Sequence, residues 1–396
     1  MSSVAIIGGG SSSLILAEML GNHFKVALYE KGKTIGRKYL VAGKGGFNIS
    51  NNLTGKPLNS KYTPVGFLDK ALNEFGVSEL RDWYKKIGVE TFIGSSNRVF
   101  PKEGISPADV LRSIKKQLSE KKVIIHTQSE FVGFNKDGLP LIKNAQETES
   151  VKSDYYVFCL GGGSWKVTGS NSDWLDYFNK IGITTTPFES SNCGLNINWN
   201  DRILKNHEGK PLKNISVTCG VTTIKGEALI TQYGIEGNAI YPISALVREY
   251  FKHSKIVTII LDFKPNLTEL ELLKKIKGVK PSNYGKALKL DTASMAIIKN
   301  ETTKEAYLNP ELFVKKVKHL ELQIECLRPI EESISTVGGI IIENLNPNFS
   351  LKSKSNMFCI GEMVNWDAPT GGFLLQACFS MANLVAQTLI HKKKAD

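Results

Sequence analysis

Residues Val4 to Ile7 form a short β-branched apolar run that meets GGGSSS and then LILAEML, whose apolar residues recur at helical period. A second apolar run, Lys25–Tyr29, ends in Glu30, with Lys31 next. Strand, glycine turn, helix, strand and terminal acid together read as a dinucleotide-binding βαβ unit. Gly8 provides the tight turn and Gly10 lets backbone N–H groups approach a pyrophosphate. Ser12 and Ser13 lie in the first turn of a helix whose N-terminus faces that anion. Ser13 replaces the usual third glycine and is small enough to keep helix and strand in close contact. Glu30, about twenty residues beyond the glycines, is placed to accept hydrogen bonds from a ribose 2′-OH, and an acid there disfavours a 2′-phosphate. The expected ligand of this unit is an adenine dinucleotide.

With 396 residues, 41% of them hydrophobic, the chain predicts two or three domains with ample cores. The N-terminus lacks a basic signal-peptide region, no apolar run approaches the ~18–20 residues that cross a bilayer, and a cytoplasmic protein without a membrane partner is expected. The six cysteines form no CxxC pair and no histidine stands at zinc-ligand spacing, so buried free thiols and no metal are expected. A net charge of +12 favours anionic partners, although the lysines are widely spread.

After Glu30 the chain runs into GRKYLVAGKGGFNISN, residues 36–51, where Arg37, Lys38 and Lys44 stand among four glycines. This stretch resembles the GRK-x-x-x-(S/A)-G-x-G-x-x-N-x-(S/T)-N signature of a bacterial and archaeal group, the HI0933-like, aminoacetone-oxidase-like NAD(P)/FAD-dependent oxidoreductases. NRVFPKEGISPADVLRSI at 97–114 and TQYGIEGNAIYPIS at 231–244 resemble further segments of that family, and STVGGI at 335–340 fits its Gly-Gly segment. MFCIGEMVNWDAPTGGFLLQACF resembles a sub-branch in which Trp-Asp-Ala-Pro-Thr precedes the glycines.

The resemblance implies FAD. Gly36, Arg37, Lys38, Gly43, Lys44, Gly45, Gly46 and Asn48 would run along its pyrophosphate and ribityl chain. Gly161 and Gly162, after the apolar strand Tyr155–Leu160, would return the chain to the FAD sheet. Glu362, after Gly361, would contact the ribityl chain, and Thr370, Gly371, Gly372 and Phe373 would open a helix whose positive end faces the flavin pyrimidine. The implied fold is α/β, a doubly wound glutathione-reductase-type FAD domain split into 1–186 and 335–396. Between the halves the texture changes twice, to a β-rich insert at 187–265 (plus about 320–334) and a lysine-rich helical insert at 266–319.

No nucleophile–base constellation stands out, and FAD would carry the redox chemistry. The candidate catalytic side chains are Cys193 as a proton donor, Tyr233 and Glu236 lining a substrate cleft between domains, and Trp366 and Asp367 for stacking or proton transfer. Without a second dinucleotide fingerprint, NAD(P)H would dock only transiently as electron donor. Three function classes follow. One is reduction of a carbon–carbon double bond, including uridine in ribosomal RNA to dihydrouridine, for which the +12 charge and the excess of thirteen Lys/Arg over eight Asp/Glu at 264–330 would suit the phosphates. The second is small-molecule chemistry, an aminoacetone-like amine oxidase or an enone reductase. The third is a non-enzymatic redox sensor. Oligomeric state is not legible.

Overall fold

The computed structural model describes residues 1–41, 47–165, 169 and 172–395. Gly43, Lys44, Gly45 and Gly46 therefore lie outside the described residues. Two compact units emerge, 1–189 with 335–396, and 190–334.

The first unit is built on a six-stranded sheet. Its strands are β1 (Ser3–Ile7), β2 (Lys25–Glu30), β3 (Ile124–Thr127), β4 (Tyr155–Phe158), β5 (Ser350–Leu351) and β6 (Lys354–Cys359), in the order β5-β6-β4-β1-β2-β3. All neighbours are parallel except β5 with β6. Parallel strands covered on both faces need continuous apolar runs, and β1 and β4 bury Val4, Ala5, Ile6, Ile7, Tyr156, Val157 and Phe158 almost completely. Ile124–Thr127 pairs with β2 as the sheet's edge, and a separate antiparallel sheet forms from Glu130–Phe134, Pro140–Lys143 and Thr148–Ser150.

Helix α1 (Ser11–Leu20) follows β1 directly, and helix α2 (Phe373–Ala395) packs against it. Over Phe373–Lys394 α2 is long and apolar enough to cross a bilayer, against the expectation that no run is. Gln376, Ser380 and Asn383 interrupt the run in sequence, and all three are buried. With 72% of its apolar window inside the protein, α2 is a core helix.

The second unit is a seven-stranded antiparallel sheet with helices packed on it. Its strands alternate, as Leu320–Ile324 shows with Leu320, Leu322 and Ile324 buried and Glu321 and Gln323 exposed. The helices Glu269–Ile276 and Pro310–Lys318 bury Leu272, Ile276, Phe313, Val314 and Val317 in the same core as Val217, Ile259 and Leu261 of the sheet. An ion pair of 2.6 Å from Lys318 to Asp262 joins helix to strand. The stretches 187–265 and 266–319, distinct in texture, therefore share one core.

A candidate FAD cleft and a separate acid cluster

A cleft with about 840 Å³ of empty space, its mouth included, opens at the carboxyl ends of β1, β2 and β4. The sheet's connections diverge there, β1 having β2 on one side and β4 on the other, and such switch points are where open α/β sheets bind ligands. Gly8 leaves β1 with φ +103°, and a Cβ on it would stand 2.3 Å from the Cys159 carbonyl oxygen. Gly10 has an ordinary extended backbone, φ −85° and ψ −170°, and a Cβ there would meet nothing within 4 Å. Gly8 is thus fixed by the fold, whereas Gly10 keeps clear a space that lines the cleft. The first amides of α1 have no intrahelical acceptors, and Ser13 Oγ turns back to donate to Gly10 O at 2.7 Å. These features suit a pyrophosphate at the helix N-terminus.

Glu30 Oε2 accepts from Gly9 N–H at 2.7 Å and Oε1 from Gly32 N–H at 2.6 Å. It thereby ties the glycine turn to the loop after β2, and each oxygen retains a lone pair for a ligand hydroxyl. Lys31 and Arg37 border the same cleft, and Gly36, at φ +73°, donates its N–H to Gly9 O at 2.8 Å. Lys38, two residues on, forms an ion pair of 2.7 Å with Glu362 and donates to Ser164 Oγ at 2.9 Å. Two cofactor candidates 324 positions apart in the chain are joined in one contact.

Gly161 enters the turn after β4 at φ +75°, and a Cβ on Gly162 would lie 2.2 Å from Thr336 Oγ1. Gly361, at φ +83°, packs on Ser12, whose Oγ a Cβ would approach to 2.7 Å. Gly372 lies against the Ser50 backbone, which a Cβ would meet at 2.4 Å, and Asn51 Nδ2 donates to Gly371 O at 3.5 Å. The end of the 36–51 stretch is thus fastened to the glycines before Phe373, which is itself buried. Asn48 is half-buried, its Nδ2 without a partner among the described residues, and Thr370 directly precedes Gly371.

Trp366 is 2% exposed, and its indole N–H donates to Gly361 O at 2.9 Å. The ring is an interior prop under the Gly361–Glu362 turn. Asp367 is 7% exposed; its backbone bridges to Thr63 in both directions, and Oδ1 accepts from Ala368 N–H at 2.9 Å. Sequence reasoning overlooked Thr336, Ser164, Trp174 and Tyr177, the last two bordering the cleft. In SDWLDYF an aromatic pair at i, i+3 after a glycine-rich turn was the available signal.

Tyr233, Glu236 and Cys193 belong to the second unit. Tyr233 Oη donates to Glu236 Oε2. Burial, then the bond to Glu236, holds the phenol well above its ordinary range. The Arg328 guanidinium lies 3.9 Å from the Tyr233 ring centroid and is itself anchored by Glu332, with Nε donating at 2.8 Å. Cys193 is fully buried, its thiol pushed up to about 11 by burial, and Tyr241 is pushed up to about 12 by burial and then by the charge of Glu236. Tyr233, Tyr241 and Cys193 therefore keep their protons at neutral pH. Of the six cysteines, Cys326 is exposed, unlike the expectation for all six, because it begins the outermost strand of its sheet.

The parallel sheet, glycine turn and cleft at the switch point define a dinucleotide-binding protein of the Rossmann type, and the class is an FAD-dependent oxidoreductase. The model of the HI0933-like protein Rossmann domain matches residues 2–388, and the chain belongs to this family. It is similar to the 3-dehydro-bile acid delta(4,6)-reductase of Clostridium scindens, 21% identical with 98% of each chain covered. It is also similar to the ribosomal RNA dihydrouridine synthase of Haemophilus influenzae, 22% identical with 97% of each covered. Among solved structures, the 3-ketosteroid delta1-dehydrogenase of Sterolibacterium denitrificans shares the fold, with a TM-score of 0.53, 11% identity, and 99% and 100% of the two chains covered.

Proposed function

We propose that this protein reduces a carbon–carbon double bond conjugated to a carbonyl, and that its substrate is a uridine in RNA. The observation carrying this reading is the Tyr233–Glu236–Arg328 arrangement. Bound FAD supplies the hydride chemistry. The substrate gains two electrons as hydride at one carbon and a proton at the carbon beside the carbonyl, and NAD(P)H is oxidised to NAD(P)⁺ to restore the reduced cofactor. The proton must come from an acid that stays protonated at neutral pH yet can carry negative charge briefly. Tyr233 stays protonated because burial and the bond to Glu236 hold its proton on, and the Arg328 cation over its ring is the charge that would offset a transient phenolate. Glu236 orients the hydroxyl, and Cys193 with Tyr241 completes a protonated surround. In this reading Gly8, Gly10, the α1 amides and Glu30 hold the adenosine diphosphate half of FAD, while Lys38, Glu362 and the Gly371–Phe373 turn hold the flavin half.

Both full-length relatives are named for reactions that saturate such bonds, one on a bile acid and one on RNA. The net charge of +12 supports the RNA substrate. A small enone is the second reading, supported by the bile-acid relative. The experiment is anaerobic reduction with NADH and with NADPH, then reoxidation by unmodified ribosomal RNA or by a 3-keto-4-ene steroid, with a separate arm in which an amine is offered to the oxidised enzyme as reductant and O₂ as acceptor. Rapid reoxidation by RNA with dihydrouridine as product is expected. Tyr233→Phe should slow that half-reaction by about 10²-fold and leave reduction by NAD(P)H unchanged. Hydrogen peroxide released with an amine, or a Tyr233→Phe variant with full reoxidation rate, would refute the proposal.

A further inference from the structure

Trp174 begins the short helix Trp174–Lys180, borders the cleft, and is 3% exposed. Its ring packs edge-on against Phe178 at 5.7 Å and Phe188 at 5.8 Å, which fixes its orientation. Its indole Nε1 is shielded from solvent and has no hydrogen-bond partner among the described residues. Three other tryptophans make the contrast: Trp83 donates to Glu18 at 2.7 Å, Trp199 to Gly234 O at 2.7 Å and Trp366 to Gly361 O at 2.9 Å. A buried indole N–H normally finds an acceptor; this orphan belongs to a residue that borders an open cleft, and a ligand oxygen would reach it by displacing the atoms that now cover it.

The cleft wall says which part of the ligand. Trp174 shares it with Gly9, Gly10 and Glu30, the residues that frame a pyrophosphate and a ribose, and with Tyr177 and Phe131. We infer that Trp174 is a cofactor-binding residue, its indole N–H donating to an oxygen of the adenosine diphosphate half of FAD. This inference rests on FAD occupying the cleft, a condition tested separately by whether the wild-type chain binds FAD at all.

Trp174→Phe keeps an aromatic ring against Phe178 and Phe188 and removes only the donor and part of the ring. The apo chain is titrated with FAD, and in parallel with ADP and with FMN, by calorimetry. Loss of one hydrogen bond to a polar ligand should raise the dissociation constants for FAD and ADP alike by about tenfold, with FMN unaffected and the apo unfolding midpoint little changed. Unchanged FAD affinity overturns the assignment. Weaker FAD binding with unchanged ADP binding overturns the placement on the adenosine side. If Trp174→Phe does not fold, ¹⁵N-labelled wild type gives the answer. ADP must then shift at least one of the five indole N–H resonances downfield, and five unmoved resonances overturn the inference.

Discussion

The ion pair between Lys38 and Glu362 joins residues 324 positions apart and connects the cationic stretch after β2 to the turn after β6. At 2.7 Å the Coulomb attraction is about 6 kcal/mol at an effective dielectric of 20. Desolvation and side-chain ordering remove most of it, as they do for ion pairs generally. The Glu362 side chain is 13% exposed and that of Lys38 is 30% exposed, and Ser164 accepts a second bond from the same ammonium. This enclosure places the expected coupling above the surface-pair range, at about 1–2 kcal/mol. The measurement is a double-mutant cycle on the apo chain with Lys38→Met, Glu362→Gln and the double variant, read as urea unfolding at low salt and at 1 M NaCl. Much of the coupling should survive the salt, because a shielded pair is screened less than an open one. A coupling below about 0.3 kcal/mol, or one abolished by salt, would place both side chains in the weak surface regime. The reasoning that Lys38 fastens the Gly361–Glu362 turn would then fail.

Two glycines of one turn should part company. Gly8→Ala combines an unfavourable positive φ with a Cβ 2.3 Å from a backbone oxygen, and a loss of about 3–5 kcal/mol in unfolding free energy is expected; a loss under 1 kcal/mol contradicts the packing. Gly10→Val should leave the urea midpoint nearly unchanged and weaken FAD binding at least tenfold, as its side chain fills cleft space; unchanged affinity refutes that use of the space. The thiols should also divide. Only Cys326 should react quickly with a thiol reagent at pH 8, and Cys326→Ser should abolish the fast phase. Burial raises Cys193 to about 11 and Cys378 to about 12. Their folded values exceed the unfolded value of about 8.5, so their contribution is complete below that pH and is lost as pH rises toward 11–12. Unfolding in urea at pH 10.5 should require less denaturant than at pH 8, and an equal or higher midpoint would contradict the sign.

How much of this was legible in the sequence depends on the range over which each physical signal acts. The βαβ unit is local: Gly8, Gly10 and Glu30 lie within one strand–turn–helix–strand segment, and the same residues frame the cleft. The edge position of Ile124–Thr127 is not local, because a four-residue strand, IIHT, carries no mark of which sheet it will join. The same applies to the helices of 266–319, whose amphipathic pattern identifies a buried face but not its partner sheet. Nor could sequence spacing show that Lys38 meets Glu362 or that Ser50 closes on Gly372, since those contacts exist only once both halves of the split domain are folded. Trp366 and Trp174 show the consequence for the site itself. In sequence both stand near glycine turns, but only Trp366 is singled out there for stacking. Folded, Trp366 has its N–H committed to Gly361, while that of Trp174 has no acceptor among the described residues. A motif can bring an aromatic ring to a cofactor turn, but whether that ring serves the fold or the ligand is decided by where its one polar atom finds an acceptor.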